Sequence, residues 1–329
     1  MKIVAVDLGG TNARFAIAEL REGERPVLGE MRKYRTADYP SFQAAWSAFA
    51  RDTGAPLPRA ASIAIAGPVG GELIRFTNSA WTIRPGLLSD EIGLDGHPLL
   101  INDFAAMAAA VGVLRPDERT PVGGPEGPLP DEGVTTVIGP GTGLGVALQV
   151  RRGGQRLVLP TEGGHLDFAA LDSFEEELLR RLRHRHRRVS TERIVSGPGL
   201  AEIHEALAAL GHEAIVPRDD AALWEAATGN SDRLAAQALD RFVMTFGSVA
   251  GDLALAHGAN AVVITGGLSN RIHGRLAGPL FNDRFRAKGR FAEAMAHLPI
   301  RLAVHPDPGL LGAAAAWQET NRARRSRTS

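Results

Sequence analysis

The chain opens on an apolar run, Val4-Ala5-Val6. A polar glycine turn follows, Asp7-Leu8-Gly9-Gly10-Thr11-Asn12, and then an alternating run from Ala13 to Ile17. This pattern predicts a buried strand, a tight turn and a second strand. A third strand is expected near 32–35, and Pro40 leads into a helix over about 41–52 with Phe42, Ala45, Trp46 and Phe49 on one face. The run 61–66 reads as a buried strand ended by Gly67-Pro68, and 72–76 as a half-exposed one. Leu99-Leu100-Ile101 is a core strand that delivers Asn102 and Asp103 at its carboxyl end, just before a helix over about 104–113. Strand ends that feed helices are where open α/β sheets place their ligands.

Residues 115–133 are dense in proline, glycine and acid, have no apolar period and mark the best candidate for a domain boundary. The opening pattern then returns as a strand over 134–138, the turn Gly139-Pro140-Gly141-Thr142-Gly143-Leu144-Gly145, and a second strand over 146–150. Two such units opening successive domains point to an internal duplication. A third glycine pair, Gly266-Gly267, ends a strand over 261–265. Helices are expected near 172–186, 199–210, 219–228 and 231–257, and a late strand over 301–304. Pro308-Gly309 opens a last helix over about 310–320, and a mobile basic tail comes after it.

At 329 residues the chain is long enough for two domains of about 150 residues each. Lys and Arg balance Asp and Glu at 37 each, so no global field favours nucleic acid or an anionic membrane. Cysteine is absent, which excludes disulfides and thiolate metal sites and agrees with a reducing cytosol. The N-terminus runs straight into a strand without a cleavage pattern, and the longest apolar run, 104–114, is too short to span a bilayer. A soluble, cytoplasmic protein is expected. In the basic stretch 180–188, His184 and His186 lie two apart and point different ways on a helix. That stretch reads as a solvated face or a subunit contact.

The first turn carries one carboxylate, Asp7, and two small polar side chains, Thr11 and Asn12. Glycine permits positive φ and lets a ligand approach main-chain N–H groups. A carboxylate serves magnesium or its water shell, so the turn is equipped for polyphosphate and its metal. A Walker A loop is excluded because no lysine follows the glycines, and a dinucleotide fingerprint because a strand rather than a helix follows. Taken singly, the turn reads equally as an ordinary glycine hairpin with a surface aspartate. Its recurrence favours the ligand.

Five motifs resemble, in order, those of the bacterial glucokinase family. They are Asp7-Leu8-Gly9-Gly10-Thr11-Asn12, Ile101-Asn102-Asp103-Phe104, the 139–145 turn, Leu159-Pro160-Thr161-Glu162-Gly163-Gly164-His165 and Ser196-Gly197-Pro198-Gly199. The likeness extends to Pro308-Gly309-Leu310-Leu311-Gly312. It implies an α/β, duplicated actin-like (ribonuclease H-like) ATPase fold of hexokinase type, two lobes with a central cleft. The small lobe would comprise 1–114 with 307–329, and the large lobe 115–306. It also implies transfer of the γ-phosphate of ATP to the 6-hydroxyl of glucose, giving glucose 6-phosphate and ADP. Glucose and ATP are then the ligands, Mg2+ the metal and a homodimer the assembly, with no nucleic-acid or membrane partner.

By the same resemblance Asp103 is the general base toward the sugar hydroxyl, because phosphoryl transfer asks mainly for alignment and a proton acceptor. From the residues alone it reads first as a helix cap. Asn102, Asp103, Glu162, His165 and Glu192 are the implied sugar ligands. Alone, His165 reads as a structural histidine and Glu192 as a first-turn acid. Asp7 is implied to order magnesium through water. Gly9, Gly10, Thr11, Asn12, Gly141, Thr142 and Gly143 would hold phosphates, and Gly266 and Gly267 would give room for adenosine. Gly139 stands where the second turn would repeat Asp7, which suits a kinase that must keep water out better than an actin-like ATPase or chaperone. A non-catalytic sugar sensor would need a DNA-reading domain before the first strand. Thr161 stands where some relatives have glycine, and the basic run 183–188 departs from the pattern on the approach to Glu192. Without cysteine, the zinc-bearing repressor branch of sugar kinases is disfavoured.

Overall fold

The computed structural model describes residues 1–76 and 80–328, with side chains through 324. Contacts divide the chain into one unit of Met1–Leu114 with His305–Ser329, and another of Arg115–Val304. In chain order the first contains β1 (Lys2–Leu8), β2 (Asn12–Glu19), β3 (Val27–Leu28), β4 (Arg32–Arg35), α1 (Phe42–Thr53) and β5 (Ala61–Ile65). A small hairpin of β6 (Ile74–Arg75) and β7 (Thr82–Ile83) comes next, then α2 (Pro85–Ile92), β8 (Leu99–Asn102) and α3 (Asp103–Val111). The C-terminal helix Pro308–Thr328 completes this unit.

Its sheet has the order β3-β2-β1-β5-β8, with β4 also on β2. The β1–β2 pair is antiparallel, and β5 and β8 add in parallel. Both faces of β1 are buried, as its apolar run demands. Val4, Val6 and Leu8 pack with Phe15 and with Phe42, Trp46 and Phe49 of α1. Ile3 and Ala5 face Leu310, Ala313 and Ala314 of the C-terminal helix, with Ala106 of α3. The Ser41 hydroxyl caps α1 by accepting the Ala44 N–H at 3.2 Å, and Gly54 at φ 67° ends it. A Cβ at Gly312 would run into the Ala106 carbonyl, so glycine there sets how closely the C-terminal helix lies on α3.

The second unit runs β9 (Arg119–Gly123), β10 (Gly133–Pro140), β11 (Leu144–Arg152), β12 (Gln155–Thr161), α4 (Ser173–Arg185), α5 (Gly199–Leu210), α6 (Asp220–Thr228) and α7 (Arg233–Ala256). It continues with β13 (Ala261–Ile264), α8 (Gly267–Arg271), α9 (His273–Leu276), α10 (Pro279–Arg286), α11 (Ala292–Ala296) and β14 (Ile300–Ala303). The sheet order is β12-β11-β10-β13-β14-β9. An antiparallel hairpin followed by two parallel strands repeats the first unit's plan, with β3 and β4 together standing where β12 stands. The duplication is therefore structural as well as sequential. Phe242 and Phe246 of α7 pack with Phe281 and Phe285 of α10 at the centre of this unit's core.

Beneath that core lies a charged joint. Arg284 on α10 donates to Asp172 at 2.6 Å and to Glu175 on α4 at 3.1 Å. Glu175 is almost wholly buried and also accepts the Leu171 N–H at 2.7 Å and the Thr245 hydroxyl at 3.3 Å. Burial pushes its carboxyl up, against the opposing pull of the Leu171 N–H and the Arg284 guanidinium. Removing the cation would strand a carboxylate in the interior. Arg284→Ala is expected to lose about 3 kcal/mol in urea unfolding at pH 7. Glu175→Gln in the same background should recover part of that loss.

Several elements differ from the sequence reading. The stretch 115–133, where the second unit begins, is not without secondary structure, because 119–123 forms the edge strand β9 on β14. Arg301 fastens the loop after β9, donating to the carbonyls of Pro125 at 2.6 Å and Gly127 at 3.0 Å. The half-exposed strand expected over 72–76 shrinks to Ile74–Arg75, and 77–79, just beyond it, lie outside the described residues. The last helix does not end near 320 but continues to Thr328, since no glycine or proline comes after 320 to stop it and alanine and arginine favour helix. Ser329, the end of the expected mobile tail, lies outside the described residues. Among the described residues no helix is long and apolar enough to cross a membrane.

Candidate active site

Within the first unit, the turn after β1 is held from two sides. Gly9 N–H donates to the Asn12 carbonyl at 2.9 Å, and Thr36 takes both the Thr11 carbonyl (3.0 Å) and, through its hydroxyl, the Gly10 carbonyl (2.7 Å). Neither Gly9 nor Gly10 has positive φ, contrary to the expectation from sequence. A Cβ at Gly9 would make only ordinary contact with the Asn12 carbonyl, at 3.5 Å.

Asp7 sits one pair before the turn, across from Arg14, whose guanidinium donates to its carboxylate at 2.8 Å. Burial pushes the Asp7 carboxyl up; Arg14 opposes this, and the negative charge of Asp307 adds to it. The C-terminal helix reaches the same spot, for a Cβ at Gly309 would stand 2.6 Å from the Asp7 carboxyl carbon. Sequence reasoning gave no role to Arg14, Asp307 or Gly309. Arg14 was within reach, because counting a hairpin outward from the turn pairs it with Asp7.

At the end of β8, the helix cap belongs to Asn102 rather than to Asp103. The Asn102 side-chain oxygen accepts from Phe104 N at 2.9 Å and Ala105 N at 3.1 Å, and its amide donates to the Gly67 carbonyl at 3.3 Å. Asp103, the first residue of α3, is half-buried, and one of its oxygens also meets the Phe104 N–H at 2.9 Å. Asp103 thus shares the Phe104 N–H with Asn102, which is the capping residue.

Within the second unit the expected sugar and phosphate residues come together. The turn is closed by Gly141 N–H to the Gly143 carbonyl at 2.7 Å, and Gly197 N–H donates to the Gly141 carbonyl at 2.7 Å. Trp224 in turn donates to the Gly197 carbonyl at 2.8 Å, which fixes the loop that opens α5. Glu192 accepts the Leu144 N–H at 2.9 Å, directly beside Gly143, where a Cβ would collide with the carboxylate. Its other oxygen lies 3.9 Å from His165 Nε2, and Glu162 lies 3.8 Å from that nitrogen. Gly164 abuts the Leu144 carbonyl so closely that a side chain there is excluded. The Thr191 hydroxyl donates to the Gly164 carbonyl at 2.7 Å.

The departures noted in the sequence are accommodated. Thr161 Oγ1 donates to the Val146 carbonyl at 3.3 Å and accepts the Gly163 N–H at 3.2 Å, so its hydroxyl braces the sugar loop. The approach to Glu192 is ordered by Phe168 N–H to the Val189 carbonyl (3.0 Å) and Thr191 N–H to the Leu166 carbonyl (2.8 Å). Arginines of the basic run take ion pairs, Arg188 with Asp167 and Arg185 with Glu202. Gly266 has φ 98°, and a Cβ there would meet the Pro140 carbonyl at 3.5 Å, while a Cβ at Gly267 would meet open space. At the register place of Asp7 and Arg14, the second hairpin pairs Gly139 with Gly145. Acid and guanidinium are lost together.

The family model described as glucokinase matches residues 4–320. The chain belongs to the glucokinase family. It is 51% identical over 317 residues to the glucokinase of Zymomonas mobilis, covering 96% of this chain and 98% of that protein. It is similar in structure to a glucokinase from an Antarctic psychrotroph, with a TM-score of 0.84 at 32% identity, covering 96% of this chain and 98% of that one. A Balamuthia mandrillaris glucokinase solved with glucose matches at a TM-score of 0.77 over 96% of this chain and 92% of that one. At 18% identity that likeness shows the fold alone. The duplicated sheets are thus the actin-like fold of sugar kinases. The protein is an enzyme that phosphorylates sugar with ATP.

Proposed function

We propose that this glucokinase-family enzyme transfers the γ-phosphate of ATP to the 6-hydroxyl of glucose, giving glucose 6-phosphate and ADP, with Asp103 as general base. The observation that carries the reading is the gathering of Glu162, His165 and Glu192 within one unit, with Glu192 bonded to the Leu144 N–H at the end of the glycine turn. A neutral polyol needs several fixed donors and acceptors, and each one left unpaired penalises a sugar lacking that hydroxyl. Glu162 and His165 on a braced loop, with Glu192 beside them, meet that need, and the Asn102 amide, with a second N–H, adds a donor. Asp103 takes the proton of the attacking hydroxyl, which keeps the oxygen nucleophilic as it bonds to phosphorus.

The turns at 9–12 and 141–143 hold phosphate oxygens through main-chain N–H groups, with Thr142 adding a hydroxyl, and Gly266-Gly267 leave room for adenosine. Asp7, with Asp307 nearby, would hold a hydrated magnesium ion through its waters. Such an ion would supply positive charge to offset that on the transferring phosphate. Arg14 holds the Asp7 carboxylate in place.

An ADP-release assay over a panel of hexoses tests the reading. Glucose should give the highest kcat/KM, and 6-deoxyglucose should give no ADP above the sugar-free rate. Glucose 6-phosphate dehydrogenase added to the glucose reaction should form one NADPH per ADP. ADP released without NADPH would place the phosphate elsewhere and reject the 6-hydroxyl.

A further inference from the structure

Resting on the sugar and phosphate roles just proposed, we infer that Glu192 is the positioning residue that couples glucose occupancy to the phosphate turn of the second unit. Leu144 begins β11 at the end of that turn, and the sugar side meets it at both its N–H and its carbonyl. Its N–H is held by one Glu192 oxygen at 2.9 Å, and Gly164 of the sugar loop approaches its carbonyl so closely that a Cβ there would collide with it. The other Glu192 oxygen faces His165, 3.9 Å away, where the sugar ligands gather.

A carboxylate has about four lone-pair sites, so Glu192 can keep Leu144 N–H on one oxygen while the other accepts a sugar hydroxyl. Glucose then fixes the carboxylate, and the carboxylate fixes the residue on which the turn closes. Three further bonds make this a closed frame: Gly141 N–H to the Gly143 carbonyl, Gly197 N–H to the Gly141 carbonyl, and the Thr191 hydroxyl to the Gly164 carbonyl, each 2.7 Å. Thr191 precedes Glu192 in the chain, so sugar loop and turn grip the same short segment from both ends. With sugar bound, the turn needs less ordering to receive phosphate, and by linkage the nucleotide strengthens glucose by the same factor. Glycine at 143 is part of the device, since a Cβ there would displace the carboxylate from Leu144.

The test is calorimetric titration of the whole enzyme with magnesium and the non-hydrolysable analogue AMPPNP, with and without saturating glucose. In the native enzyme glucose should tighten AMPPNP by about tenfold. Glu192→Ala and Gly143→Ala should each bring that factor to about one to two, measured at sugar concentrations that saturate each variant. His165→Ala should weaken glucose yet keep the native factor, because His165 has no bond to the turn. A native factor in both Glu192→Ala and Gly143→Ala overturns the link. Should Glu192→Ala fail to saturate, Gly143→Ala decides alone. Native enzyme that phosphorylates glucose while the variants keep full coupling rejects only this inference; native enzyme that does not bind glucose rejects the sugar site beneath it.

Discussion

Asp103→Ala is expected to lower kcat by about two to four orders of magnitude while glucose binds within a few-fold of the native value. The expectation turns on which side chain caps α3. Had Asp103 been the cap, its removal would destabilise the helix start by about 1 kcal/mol and blur any catalytic loss. Asn102 does most of that work, accepting the N–H groups of Phe104 and Ala105, and Asp103 shares the first of these. Asp103→Ala should therefore melt within a few degrees of the native protein, and its loss should fall on kcat rather than on glucose affinity. Paired measurements of kcat by ADP release and of glucose binding by calorimetry separate these outcomes. Asn102→Ala is the contrasting variant, expected to lose stability as well as sugar affinity. Near-native turnover in Asp103→Ala would reject the general-base assignment.

How far each feature is legible in the chain depends on how local its interactions are. Both hairpins, the strand delivering Asn102 and Asp103, and the long amphipathic α7 announce themselves by period and by flanking glycine or capping residues. The repeat is legible because two apolar strands flank a glycine turn in each half, and the register then makes Gly139 the counterpart of Asp7. Other features depend on residues far apart in sequence. Asp307 and Gly309 reach Asp7 from the far end of the chain because the C-terminal helix packs against β1. The bond from Glu192 to Leu144 N–H spans 48 residues and leaves no local pattern. The strand β12 escapes a reading by period because it is an exposed edge interrupted by Pro160, and the helices from 267 to 296 because they are too short to show one. The cap of α3 lies one residue earlier than the sequence suggests. Adjacent Asn and Asp are both good caps, and only φ/ψ at the junction separates them.

The same close approach of distant segments sets up the opposite response at Asp7, where removing the charge should help the fold and harm the chemistry. Burial raises the Asp7 carboxyl above its ordinary value of 3.8; Arg14 pulls the other way, and Asp307 reinforces the rise. A carboxyl raised on folding contributes its stability below the unfolded value and loses it as pH climbs through the folded one. At neutral pH the charged form is therefore a net cost to the folded state. Asp7→Asn keeps the shape and removes that cost, and Arg14, partly exposed, can turn its guanidinium to water. The variant should melt at or above the native temperature at pH 7, and the gap should narrow as pH falls through the folded carboxyl's raised value. Activity should drop by about two to three orders of magnitude, because a neutral amide no longer orients the metal that offsets phosphate charge. The magnesium concentration needed for half-maximal rate should rise with it. A variant that melts well below the native enzyme at pH 7 would mean that the bond to Arg14 outweighs the burial of the charge. Unchanged magnesium dependence would remove Asp7 from the metal's surroundings.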